Sequence, residues 1–198
     1  MIHFVTNNSI NNLPELISQT IAGGATHIQL RNKNCDKVIL FTIGKKLLTI
    51  TRPKKIPLII NDHIDLALAL DADGVHIGQT DLPYSIARKL LGKNKIIGLS
   101  IQTLEQAKQA VNCDADYFGV GPIFSSVTKT DAKAMGLTTL REITTLLHKP
   151  CIAIGGIKIS DVNTIVACGA TGIAVVSGIC NADNPRVATK NYARALYA

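Results

Sequence analysis

Short runs of β-branched and other apolar residues recur along the chain, at residues 2–6, 27–31, 57–61, 74–78, 95–100, 115–121, 151–155 and 172–177. Most are continuously apolar rather than alternating, the pattern of parallel strands covered on both faces. Between them fall amphipathic stretches with helical spacing, at 13–22, 36–50, 64–70, 84–91, 104–111, 138–147 and 160–168, and a last one at 185–197 closes the series. Eight strands alternating with eight helices predict βα units, and eight is the number that closes a barrel. The expected fold class is α/β, a single (β/α)8 TIM barrel. Connections are short and linker-like tracts are absent, so residues 1–198 are expected to form one domain.

An internal repeat points the same way. Gly24-Ala25-Thr26, Asp71-Ala72-Asp73, Asp114-Ala115-Asp116 and Gly169-Ala170-Thr171 each close a helix and open an even-numbered strand. The central alanines are 47, 43 and 55 residues apart, about two βα units each time. A barrel of four doubled units gives such a period. The plainer reading is that small residues recur at αβ turns.

Composition narrows the chemistry. Hydrophobic residues are 46% and charged residues 18%, enough apolar surface for a sizeable core. The longest apolar runs are too short to span a bilayer, so no membrane partner is expected. The first residues already read as a strand, so no secretion signal is expected. Five cysteines without a C-x-x-C pair fit reduced thiols and a cytoplasmic location. Lys plus Arg exceed Asp plus Glu by 21 to 14, a surface suited to anionic partners. With aromatics at 4%, Trp absent and no recognition motif, nucleic acid is not the expected one. A phosphorylated small molecule suits the charge equally well.

In such a barrel the chemistry sits at the C-terminal ends of the strands. Those ends bring together Gln29, Arg31 and Lys33, Asn61 and Asp62, Gln79 and Asp81, Ser100, Gly155-Gly156, and Val176-Ser177-Gly178. Asp62 and Asp81 follow neighbouring strands and are candidate ligands of a hard cation such as Mg²⁺, with phosphate oxygens and water completing the octahedron. Each could instead cap the helix that follows it. Arg31 offers a planar fork to phosphate, or else a surface ion pair. The long sixth loop carries Ser126, Thr128 and Lys129, either an anion clamp or an ordinary polar loop. The glycines after strands 7 and 8 occupy the position where such barrels bind phosphate through backbone N–H groups, or else serve tight turns. His76, inside strand 4, reads as a core histidine or one facing the barrel interior. No Ser-His-Asp order, H-E-x-x-H or Walker motif is present, and Gly119-Val120-Gly121 lacks the third glycine of a dinucleotide fingerprint.

Gln29-Leu30-Arg31-x-Lys33, Ile60-Asn61-Asp62, the run from Gly74 to Gly78-Gln79-x-Asp81, Gly98-Leu99-Ser100, Gly119-x-Gly121-Pro122-Ile123-Phe124, Thr128-Lys129, Ile154-Gly155-Gly156-Ile157 and Val176-Ser177-Gly178-Ile179 together resemble the thiamine phosphate synthase family over essentially the whole chain. The resemblance implies a transferase that joins 4-amino-2-methyl-5-pyrimidinylmethyl diphosphate to 4-methyl-5-(2-phosphoethyl)thiazole. It also implies roles. Gln29, Arg31, Lys33 and Asn61 would hold the pyrimidine diphosphate, and Asp62 and Asp81 would hold Mg²⁺. Ser100 and Lys129 would add pyrimidine or diphosphate contacts. Ser126, Thr128, Gly156, Val176 and Ser177 would take the thiazole phosphate. Arg31, Lys33, Ser100 and Lys129 would form the catalytic set, while self-association is left open.

Two residues depart from the family pattern: Asn32 stands where Glu is usual, and Ser126 where Thr is usual. The chain also reaches its first strand without the extension usual in the family. A related group on the same barrel, the thiazole tautomerases, resembles this sequence less. Those proteins are expected to carry a His two residues after the strand-5 Ser, where Gln102 stands here, and to lack the paired carboxylates. A non-catalytic anion-binding barrel is the third reading.

Overall fold

The computed structural model describes residues 1–7, 12–125 and 133–198. Eight parallel strands close on themselves in chain order: β1 Ile2–Val5, β2 His27–Leu30, β3 Leu58–Asn61, β4 Gly74–Ile77, β5 Ile96–Ile101, β6 Tyr117–Val120, β7 Cys151–Ile154 and β8 Gly172–Val175. Around them lie α1 Leu13–Ala22, α2 Lys37–Thr51, α3 Ile64–Leu70, α4 Tyr84–Leu91, α5 Leu104–Ala110, α6 Gly136–Leu146, α7 Val162–Ala167, α8 Ser177–Cys180 and α9 Pro185–Tyr197. The expected (β/α)8 barrel is the observed one. The sequence pattern does not reveal α8, because a four-residue helix is too short to show a helical period. The seventh helix is also shorter than its pattern, since residues 159–161 form a 3-10 turn before it.

Two apolar layers explain the continuous runs. One side of each strand (Ile2, Phe4, Ile28, Leu30, Leu58, Ile60, Val75, Ile77) packs under the helices in the main core. The other side faces the barrel interior, where Val5, Tyr117, Ile152 and Ala174 form a separate small cluster. Alternate positions therefore serve different neighbours, although both are buried.

The repeated triplets have a shared structural role. The third residue of each fastens its own strand to the start of the strand before it. Thr26 Oγ1 accepts from Ile2 N at 2.9 Å, Asp73 Oδ2 from Leu58 N at 2.8 Å and Asp116 Oδ2 from Ile97 N at 2.8 Å, while Thr171 Oγ1 donates to Cys151 O at 3.1 Å. In all four, the same residue's N–H also donates to that preceding strand. The central alanines are buried at every copy. The repeat thus marks four equivalent clasps at the N-terminal face, away from the strand ends that carry the candidate site residues.

Removing one clasp is therefore expected to cost stability and spare the chemistry. Asp73→Ala should lower the unfolding free energy by about 1–3 kcal/mol, the cost of leaving a buried N–H unpaired. Urea unfolding checks the loss, and activity of the folded fraction is expected to stay at the wild-type level.

Candidate active site

Closing the barrel turns polar residues inward, and their packing depends on glycine. His76 on β4, Gly98 on β5 and Tyr117 on β6 are register partners across three strands. A Cβ at Gly98 would overlap the Tyr117 ring and lie 2.6 Å from His76 Nδ1. Glycine there lets the two large side chains meet: His76 Nδ1 and the Tyr117 hydroxyl are 3.0 Å apart. On its other side, His76 Nε2 lies 2.8 Å from Ser100 Oγ. Gln29, 6% exposed, sits beside the Tyr117 hydroxyl. Gln79 Nε2 donates to the Ser100 carbonyl at 2.5 Å and ties the fourth loop to β5. His76 is therefore both a satisfied core histidine and a wall of the interior, so the two readings offered for it coincide.

Above this network opens a pocket of about 100 Å³. Gln29, Arg31, Asn61, Ser100, Gly156, Val176 and Ser177, all expected from the strand ends, line it. Lys33, Asn61 and Asp62 border a smaller recess beside it. Arg31 is held at the rim by its backbone, because Thr6 Oγ1 accepts from Arg31 N and donates to Arg31 O, each at 2.9 Å. Among the described residues neither Arg31 nor Lys33 is in a close ion pair, so the surface-pair reading of Arg31 finds no partner. Asn32 Oδ1 accepts from Asn34 N at 3.1 Å and shapes the turn that carries Lys33.

The carboxylates do not act as caps. The N-cap residues of α3 and α4 are His63 and Pro83, neither helix start receives a side-chain cap bond, and Asp81 Oδ2 instead accepts from Gly78 N at 2.6 Å. Asp62 adopts φ +64°, a left-handed conformation uncommon for a residue with a side chain. Its carboxyl lies against that of Asp81. Burial first, and then the negative charge of Asp81, raise the Asp62 pKa against the opposing pull of Lys33 and Arg31. A cation shared by the two carboxylates would relieve that repulsion, and two hard oxygens suit a divalent ion that takes its other ligands from phosphate and water. Among the described residues no group of three or more potential His, Cys, Asp or Glu ligands forms, so the pair is an open site rather than a complete cage.

At the opposite rim, Gly156 has φ +64°, and a Cβ there would lie 2.5 Å from Ser125 O. Glycine lets the end of the sixth loop's first stem lie on the turn after β7, where Phe124 N donates to Gly155 O at 3.1 Å. Ser126, Thr128 and Lys129 lie outside the described residues. The helix α8 starts at Ser177, on the pocket edge, and its first N–H groups have no intrahelical acceptor.

Comparison with known proteins decides the family. The sequence profile described as thiamine monophosphate synthase matches residues 2–179. The chain belongs to this family. A thiamine-phosphate synthase of Methanobrevibacter smithii is 39% identical over 199 residues, spanning 100% of this chain and 95% of that protein. Another, of Ruminiclostridium cellulolyticum, is 46% identical over 171 residues, spanning 86% and 81%. The solved thiamine phosphate pyrophosphorylase from Pyrococcus furiosus superposes with a TM-score of 0.91 at 35% identity, covering 99% of this chain and 95% of that one. The protein is an enzyme, a transferase.

Sequence reasoning passed over much of the pocket's closed end. His3 and Tyr117 both line the pocket, and His3 and His27 stack with ring centroids 4.2 Å apart. The available signal was a polar residue inside an otherwise apolar strand, as in Ile2-His3-Phe4-Val5. Burial, then the nearby N-terminal ammonium, pushes the His27 pKa down to about 4. Between pH 6.5 and about 4 the unfolded chain therefore takes up a proton that folded His27 refuses, so stability falls as pH drops through that window and is regained above it. Urea unfolding at pH 7 and pH 5 checks this: the wild type is expected to lose more stability across the interval than His27→Asn.

Proposed function

We propose that this transferase forms thiamine phosphate and pyrophosphate from 4-amino-2-methyl-5-pyrimidinylmethyl diphosphate and 4-methyl-5-(2-phosphoethyl)thiazole. The observation that carries the reading is the pairing of Asp62 with Asp81 beside Arg31 and Lys33, at the mouth of a pocket lined deeper in by Gln29, Ser100 and Tyr117 together with Val5, Ile152 and Ala174. That division matches a substrate with an anionic diphosphate at one end and a neutral heteroaromatic ring at the other. Family membership and the thiamine-phosphate synthase names of relatives near 40% identity support the same assignment.

In this reading Arg31, Lys33 and Asn61 bind the diphosphate, and Gln29 and Ser100 orient the pyrimidine. Asp62 and Asp81 would hold Mg²⁺, which supplies charge neutralisation for the leaving pyrophosphate. The C–O bond between methylene and diphosphate breaks, and its electron pair leaves with pyrophosphate. The thiazole nitrogen donates its lone pair to that carbon and becomes the quaternary nitrogen of the product. No proton has to be removed, so the chemistry does not call on the His76–Ser100 pair as a base and nucleophile. Arg31 and Lys33 favour departure by meeting the developing negative charge. Gly156, Val176 and Ser177, with Ser126 and Thr128, take the thiazole phosphate, and Lys129 adds a charge to the diphosphate. Gln102, exposed on the pocket wall, stands where resemblance to the thiazole tautomerases would imply a histidine. We place the enzyme in the cytoplasm, where the five free thiols would stay reduced.

Asp81→Asn is expected to lower the rate of pyrophosphate release at least a hundredfold at saturating substrates and to raise the Mg²⁺ concentration needed for half-maximal rate, while the protein stays folded by circular dichroism. Turnover near the wild-type level with unchanged Mg²⁺ dependence would remove the carboxylate pair from the mechanism.

A further inference from the structure

The closed end of the pocket holds a polar atom to which the proposed reaction gives no role. His3 is 1% exposed and lines the pocket, and its Nε2 has no hydrogen-bond partner among the described residues. Its neighbour His76 is satisfied, bonded to Ser100 and Tyr117. The other buried atom in this condition, Thr51 Oγ1, sits at the end of α2 and does not border the pocket. The barrel fixes where His3 sits. Its strand register sets it between His27 and Ala174, its ring stacks on His27, and the Tyr117 ring meets it edge-on at 4.9 Å between centroids. Such an orphaned buried nitrogen lowers stability unless a ligand atom engages it.

The surroundings select the ligand's chemistry. Burial, aided by the other two histidines and the N-terminal ammonium, keeps His3 neutral, and burial keeps the Tyr117 phenol protonated. Formal charge lies at the rim, on Arg31, Lys33, Asp62 and Asp81. A diphosphate held there, one methylene away from a heteroaromatic ring, sends the ring toward this neutral floor.

We propose that His3 is a specificity-determining residue, whose Nε2 hydrogen-bonds the polar edge of the pyrimidine ring at the closed end of the pocket. The inference rests on the pyrimidine diphosphate assignment and deepens it. A neutral imidazole offers one donor and one acceptor, so it favours a ring with nitrogen or amine at that edge and disfavours a hydrocarbon ring, which would leave Nε2 unpaired.

Two experiments test it. In the first, wild-type protein labelled with nitrogen-15 in its histidines is titrated with 4-amino-5-hydroxymethyl-2-methylpyrimidine, and the His3 Nε2 resonance is expected to shift in step with binding. Binding that leaves this resonance in place, or no binding at all, overturns the proposal. In the second, His3→Phe is expected to raise KM for the pyrimidine diphosphate about tenfold. KM for the thiazole phosphate stays unchanged, and His3→Gln recovers part of the loss. An unchanged KM for the pyrimidine diphosphate, or equal rises for both substrates, overturns it. Should wild-type protein bind the pyrimidine but form no thiamine phosphate, the proposed reaction fails, and the nitrogen-15 titration still decides the role of His3.

Discussion

Closing eight parallel strands turns alternate residues into an interior that has no water to spare, and the rest of this molecule follows from how that interior is filled. An apolar interior would have been simpler. Here His3, Gln29, His76, Ser100 and Tyr117 face it instead, and each buried polar group demands a partner. The bond between His76 and Tyr117 satisfies that demand only because Gly98 stands between them in register. Remove the space that glycine leaves and the network cannot form.

From that constraint comes a separation of charge along the barrel axis. Ionised groups remain where strands end and water reaches them, whereas burial holds His3 and His27 neutral. The two aspartates form the exception, half-withdrawn from solvent and pressed together. Like charges gathered in this way cost stability when no cation is bound, and a binding site is where such a cost is retained. The clasps at the opposite face, by contrast, tie strand to strand and involve no ligand. The clasps and the candidate site thus lie at different ends of the same strands, as barrels of this class allow.

Much of this was legible in the sequence. Periodicity located all eight strands and the bounds of α1, α3, α4 and α9 as observed, because helices of about two turns or more leave a readable stripe while short turns such as α8 do not. The strand-end residues converged as expected, since the fold fixes where strand ends point. Whether Asp62 and Asp81 were caps or a pair could not be read from spacing. It depends on the left-handed backbone at Asp62 and on Asp81 folding back to Gly78 N, both set by tertiary contacts. His3 and Tyr117 escaped notice because inward and outward positions of a doubly buried strand look alike. Only the closed register tells which side faces the pocket.

The central claim is that charge at the rim and neutrality within orient one substrate. A crystal structure of the enzyme with magnesium and the pyrimidine diphosphate, the thiazole withheld, measures that orientation directly. The account predicts metal density between Asp62 and Asp81, the diphosphate against Arg31 and Lys33, and the pyrimidine ring directed toward His76 and Tyr117. A diphosphate seated instead at Gly156 and Ser177, with no metal at the two aspartates, would contradict it.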